Sequence, residues 1–227
     1  MPGGCVPYHL IPVPINVILI ILYLIARNKN DLKRTAVIQP LCTLTSISVA
    51  ALSLLSPDGE TSYTLWILVG LGLCFLADIF NIDMNNDKIL FAAIAVFILA
   101  YLEYAVTWTV FNNGFQQADI YVGVLFILIY ILLMGLYWKN LGKYKVAIMI
   151  YGLVMPFMVT RAISTLFGDA FSLASATLIT AGSSLLFLAM VFVSMAIAGS
   201  ILAVAKAGTE LAIPNDLIYF ARALMLQ

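Results

Sequence analysis

The sequence has few charges and no concentration of one sign. Only 10% of its 227 residues are charged, and 11 Lys and Arg residues balance 11 Asp and Glu residues. A soluble domain of this length needs many more polar side chains to cover its surface. Since no basic patch or nucleic-acid motif is present, nucleic acid is not expected as a partner.

Cysteine and histidine are also scarce. The three cysteines, Cys5, Cys42 and Cys74, form no CxxC pair, and the single histidine, His9, precedes the first apolar run. Buried or interfacial thiols are the expected state of these cysteines. The sequence therefore predicts no metal site and no cofactor.

Apolar residues dominate the chain. They make up 63% of it, and the mean hydropathy is +1.07. Repeated apolar runs of about 20 residues are typical of helices that cross a bilayer. The prediction is an all-α, polytopic transmembrane helical bundle forming a single domain over residues 1–227. Eight spans are expected, or seven plus a short terminal segment, at about residues 11–26, 36–55, 63–82, 89–111, 120–138, 145–167, 171–198 and 213–227.

Basic residues lie on one side of this arrangement. Nine of the 11 Lys and Arg residues fall in or beside the odd-numbered connections, and the even-numbered connections hold only acids such as Glu60 and Asp119. Positively charged connections stay in the cytoplasm during membrane insertion. The odd connections are therefore predicted to be cytoplasmic and both termini to lie on the opposite side.

Four ionisable residues lie inside the predicted spans: Asp78, Glu103, Arg161 and Arg222. Each is expected to face the bundle interior, because a charge at the bilayer centre costs about 2.5–3.5 kcal/mol on insertion scales. A rise of about 1.5 Å per residue places Glu103 and Arg161 at similar depths. They are predicted to form a structural ion pair in the outer half of the membrane.

Asp78 differs in depth from Glu103 by about 15 Å and lies close to the cytoplasmic side. Its expected polar neighbours are Gln39, Asn81, Ser194, Tyr219 and Arg222. A sheltered carboxyl of this kind is a candidate general acid. The structural alternative is an interfacial aspartate that bonds to a helix end and is wetted from the cytoplasm.

Five motifs resemble those of the lysoplasmalogenase (YhhN-like) family, in the same order. They are "QPLCT" (39–43), "LWILVGLGLCFLADIF" (65–80), "FILAYLEYAV" (97–106), "YKVAIMIYGLVMPFMVTRAIS" (144–164) and "YFARALM" (219–225). The resemblance covers nearly all the chain from about residue 33. It implies an eight-span bundle and hydrolysis of the vinyl-ether bond of lysoplasmalogens, which releases a fatty aldehyde and a glycerophospho-alcohol.

The resemblance also implies which residues contact the substrate. The family has two aspartates suited to the acid chemistry, on the third and seventh spans. Asp78 matches the first, whereas Met190 and Val191 stand where the family has serine and aspartate. Gln39, Asn81, Tyr101, Tyr219 and Arg222 are predicted to bind substrate around Asp78. At Gln39, Tyr101 and Arg222 the family instead has lysine, histidine and glutamine.

Two functions remain open at the level of sequence. The first is a hydrolase of lysoplasmalogen-type lipids that uses Asp78 as the acid. The second is an inactive homologue that contacts lipid or pigment as an accessory subunit of a membrane complex, which the missing second aspartate favours. Membrane lipids are expected partners in both cases, and protein partners in the second. A transporter is less favoured, because the spans show no inverted repeat and no paired broken helices.

Overall fold

The computed structural model of the protein describes residues 10–29, 31–55, 60–83, 86–138 and 145–188. These residues form seven helices and a short 3-10 helix, with no strand among them. The helices are α1 (Val13–Asn28), α2 (Leu32–Ser53), α3 (Thr61–Phe80), α4 (Asp87–Phe111), α5 (Gln117–Tyr137), α6 (Lys145–Ser164) and α7, described over Leu173–Leu188. The 3-10 helix, Asn81–Asp83, directly follows α3.

Five of the described helices, α2 to α6, are long and apolar enough to cross a membrane. Helix α1 is also apolar but shorter, and the described part of α7, Leu173–Leu188, is apolar as well. The all-helical, membrane-type fold predicted from hydropathy is confirmed. Helices α1 to α7 coincide with the first seven predicted spans, and the eighth, 213–227, lies outside the described residues.

The chain divides into two compact units, Met1–Thr107 and Trp108–Gln227, with the boundary inside α4. The single domain expected over 1–227 stays a prediction. In the first unit α1 packs on α2 and α2 packs on α3. The Nδ2 of Asn16 on α1 donates a hydrogen bond to the Oγ of Ser46 on α2, at 3.1 Å. A polar contact of this kind helps to set the position of two apolar helices against each other.

The second unit is built around α6. In the most apolar stretch of α6, 56% of the residues are buried, against 11% in α5, which packs beside it. Helix α7 contacts α5 through the edge-to-face rings of Phe126 and Phe187, whose centroids are 4.8 Å apart. It contacts α6 through Thr180, whose hydroxyl donates to the carbonyl of Ala162 at 3.0 Å. Helix α6 is therefore the core helix of this unit.

Arg161, near the end of α6, is fully buried and joins three segments of the second unit. Its Nη1 forms an ion pair with Asp119 and also donates to Ser164. The Nε donates to the Oγ1 of Thr109 at 2.7 Å, and Nη2 donates to the carbonyl of Gly114 at 2.6 Å. The guanidinium of Arg161 thus donates four hydrogen bonds to other groups of the protein.

This arrangement corrects the pairing of Glu103 with Arg161, because Asp119 is the carboxylate on Arg161. Helix α5 begins at Gln117, three residues before the predicted span, so Asp119 is in its first turn. There Asp119 accepts from the backbone N–H of Gln116 at 2.6 Å in a capping box. The depth comparison considered only acids inside the spans and therefore overlooked Asp119.

Replacement of Asp119 by Asn is expected to destabilise the protein by about 3–5 kcal/mol, because it leaves a buried guanidinium without its counter-charge. Replacement of Glu103 by Gln, the matched control, is expected to change stability by less than about 1 kcal/mol, since Thr107 can still donate to the new amide oxygen. Unfolding of both variants in the same detergent measures the difference. An equal loss in the two variants would contradict the assignment of Asp119 as the partner of Arg161.

Candidate functional site around Asp78

Asp78 lies in the last turn of α3, and its side chain is buried, with 4% of the residue exposed. The neighbouring Ala77 is completely buried. In an apolar helix that faces lipid elsewhere, a buried carboxyl must find its hydrogen-bond partners inside the protein. The structure supplies them from α2.

Both oxygens of the Asp78 carboxyl accept hydrogen bonds from α2. The Nε2 of Gln39 donates to Oδ1 at 2.7 Å, and the hydroxyl of Thr43 donates to Oδ2 at 2.5 Å. Gln39 and Thr43 are four residues apart, so they lie one above the other on one face of the helix. The two donors fix the plane of the carboxyl and link α2 to α3. We call this three-residue arrangement the Asp78 clamp.

Thr43 was not among the residues expected in the site, although Gln39 was. Threonine inside a helix commonly bonds back to the carbonyl four residues earlier. Thr43 is only 3.5 Å from the carbonyl of Gln39, but its shorter bond goes to Asp78. Its spacing of four residues from Gln39 is the signal that could have identified it.

Asn81 begins the 3-10 helix that follows α3, and this helix contacts both α2 and α3. Only 3% of Asn81 is exposed, and neither its Nδ2 nor its Oδ1 has a hydrogen-bond partner among the described residues. Leaving such a buried group unbonded costs about 1–3 kcal/mol. The Asp78 clamp is therefore followed, three residues later, by an amide whose donor and acceptor both lack a partner among the described residues.

The remaining predicted site residues are placed as follows. Tyr101 on α4 is buried, with its ring beside that of Phe97 at a centroid distance of 6.1 Å. Its contact with substrate stays a prediction. Tyr219, Arg222 and Ser194 lie outside the described residues, as do Met190 and Val191.

Glu103 forms a separate acidic position on α4. Its Oε1 accepts from the hydroxyl of Thr107 at 2.7 Å, and its Oε2 is buried without a partner in the described part of the chain. It packs beside Gly70 of α3, which is eight residues before Asp78. Eight residues of helix span about 12 Å, so the two carboxyls do not form one acid pair.

No group of three or more His, Cys, Asp or Glu side chains that could hold a metal ion occurs among the described residues. The chemistry available at the clamp is that of a carboxyl, an amide and a hydroxyl. Each carboxyl oxygen accepts one bond from α2, and among the described residues each has a second acceptor position for a proton or an incoming group. Such a carboxyl can donate a proton and later take one back.

The packing of two α4 side chains against α3 depends on Gly70. A Cβ there would meet Glu103 and would lie 2.6 Å from a ring carbon of Tyr104. Replacement of Gly70 by Ala is expected to destabilise the protein by about 1–3 kcal/mol through overpacking. A Cβ at Gly72, two residues along the same helix, would meet no heavy atom within 4 Å, so Gly72→Ala should stabilise the helix by about 0.5–1 kcal/mol. Unfolding measurements showing the same sign for both variants would contradict this packing.

The comparisons with known proteins show the family to which the chain belongs. The model of the YhhN family matches residues 34–221, a stretch that includes the whole Asp78 clamp and Asn81. No curated protein and no solved structure matches the chain significantly. Because the matched region covers well over half of the sequence, the chain belongs to the YhhN family.

Proposed function

We propose that this protein hydrolyses the vinyl-ether bond of lysoplasmalogen-type lipids, with Asp78 as the acid. The observation that carries the proposal is a buried carboxyl held by two α2 donors, near the end of a membrane-type helix. Membership of the YhhN family supports the reaction type. The products are a fatty aldehyde and a glycerophospho-alcohol.

The first step needs an acid rather than a nucleophile. A vinyl ether is cleaved when a proton is added to the alkene carbon farther from oxygen. Asp78 in its protonated form donates that proton, which forms a carbon–hydrogen bond and leaves an oxocarbenium ion on the substrate. The carboxylate left behind stabilises the adjacent positive charge, an effect that is strong where water is excluded.

The second step needs a base, and the same residue can supply it. Water adds to the oxocarbenium carbon, and its released proton returns to the Asp78 carboxylate. The resulting hemiacetal then breaks its bond to the glycerol oxygen, which takes the hydroxyl proton, and the aldehyde leaves. One carboxyl that alternates between acid and base therefore completes the cycle, as in other general acid–base mechanisms.

A catalytic cycle with a single carboxyl needs no acidic residue at position 191, where this chain has valine. The family resemblance places a second aspartate there, and valine can neither donate nor accept a proton. Tyr219 and Arg222 are proposed to contact the substrate, as Gln39 and Tyr101 are. The feature at Val191 also favours a second function, an inactive homologue that binds lipid within a larger complex. Measurement of turnover separates the two.

Replacement of Asp78 by Asn is expected to lower kcat by about 10²–10⁴, the usual contribution of general acid–base catalysis. The assay is aldehyde release from a vinyl-ether lysolipid by purified protein. Glu103→Gln is the matched control. Glu103 packs against Gly70, which is about 12 Å from Asp78 along α3, so this substitution should leave turnover within about twofold. Wild-type protein with no more turnover than Asp78→Asn would overturn the proposed activity and favour the non-catalytic function.

We place the Asp78 clamp toward the cytoplasmic side, on the basis of the charge distribution. Lys88 lies in the first turn of α4, directly after the connection that follows α3, whereas the connection before α3 carries Glu60. In a Cys5→Ser background, a cysteine at Lys88 should react with an impermeant maleimide only after the membrane is opened. A cysteine at Glu60 should react on intact cells. The reverse pattern would invert the orientation.

A further inference from the structure

Several buried polar atoms in the protein have no hydrogen-bond partner among the described residues. For Asn16, Glu103, Asn112 and Asp119, the unpartnered atom is one oxygen, and another atom of the same side chain is bonded. For Asn81 the entire amide, donor and acceptor, is without a partner in the same part of the chain. Asn81 is therefore set apart from the other buried amides and carboxyls by chemistry, and also by its place beside Asp78.

We infer that Asn81 binds the water molecule that hydrolyses the substrate and positions it beside Asp78. The inference rests on the proposed function and adds a water-positioning residue to it. A buried water needs two to four polar partners. The Nδ2 and Oδ1 of Asn81 supply a donor and an acceptor, and the free acceptor position of the Asp78 carboxyl supplies a third partner.

The spacing of the two residues suits one bridging water. Side chains three positions apart on a helix have Cβ atoms about 5–6 Å apart, on the same face. At this separation the two side chains can bond directly or through one water. The Asn81 side chain makes no direct bond to Asp78 or to any other described residue, which favours two hydrogen bonds through one water oxygen. Both residues are buried, with 4% of Asp78 and 3% of Asn81 exposed.

The role of the water follows from the reaction. Once Asp78 has given its proton to the alkene carbon, the Asp78 carboxylate accepts a proton from the water that Asn81 holds. The water oxygen forms the new bond to the oxocarbenium carbon, and no proton needs to leave the site. Asn81 contacts the attacking water and directs it; it does not itself gain or lose a proton.

The experiment uses full-length protein and a vinyl-ether lysolipid with methanol added as a competing nucleophile. Water attack gives the aldehyde, whereas methanol attack gives a stable mixed acetal. Asn81→Leu is expected to lower kcat about tenfold, as expected for one lost hydrogen bond, with little change in KM. It is also expected to raise the ratio of acetal to aldehyde, and Asn81→Ser should restore part of the wild-type ratio.

Asn16→Leu is the matched control, since it makes the same change at a half-buried amide, one that bonds to Ser46 instead. The product ratio should stay at the wild-type value there. An unchanged ratio in Asn81→Leu would overturn the inference. A rise in KM without a fall in kcat would also overturn it, because that result assigns Asn81 to a substrate hydroxyl.

A second measurement separates this inference from the proposed function. A high-resolution density map of the wild-type protein should show a water within hydrogen-bond distance of Asn81 and Asp78, and the map of Asn81→Leu should lack it. Aldehyde release without such a water would overturn the inference and leave the function standing. A bound water in a protein that releases no aldehyde would overturn the function and the catalytic role of this water, but not its binding by Asn81.

Discussion

The hydrogen bonds from Gln39 and Thr43 to Asp78 answer the main physical constraint on a chain of such apolar helices. Hydrocarbon offers no hydrogen-bond partner to a polar side chain. A polar side chain in a membrane helix must be satisfied by another helix or by enclosed water. Asp78 is satisfied by two donors spaced one helical turn apart on α2. The same contacts that satisfy the acid also fix α3 against α2 and, in the proposed reaction, orient the carboxyl for proton transfer.

The second unit meets the same constraint in a different way. Arg161 donates four hydrogen bonds within its own unit and has Asp119 as counter-ion, so its guanidinium is largely committed to the fold. The ring of Phe115 covers it, with the ring centroid 4.6 Å from the central carbon of the guanidinium. A charge enclosed in this manner holds segments together. The Asp78 clamp, in contrast, is followed by the amide of Asn81, which has no hydrogen-bond partner in the part of the chain that the structure describes. Residual bonding capacity is what distinguishes a site from a structural pair.

Hydropathy was sufficient to predict the helices, because a bilayer requires long apolar runs and the runs of α2 to α6 are long. Counting residues along the predicted spans was also sufficient to place Gln39 and Asn81 near Asp78 in depth. Three features could not be predicted from the sequence. The partner of Arg161 depends on α5 starting at Gln117, which makes Asp119 helical. The role of Thr43 depends on which of two nearby acceptors its hydroxyl chooses. The third is the burial of Asn81 in the 3-10 turn, where its amide has no partner among the described residues.

The coupling between Thr43 and Asp78 tests the clamp most directly. A double-mutant cycle with Thr43→Val and Asp78→Ala, read from the free energy of unfolding in one detergent, isolates the interaction between the two side chains. The proposed reaction starts from the neutral, protonated form of Asp78, and hydrogen bonds between neutral groups contribute about 0.5–1.5 kcal/mol, so a coupling of that size is predicted. Additive effects of the two substitutions would contradict a hydrogen bond between α2 and α3 at this position, and with it the account of how Asp78 is held.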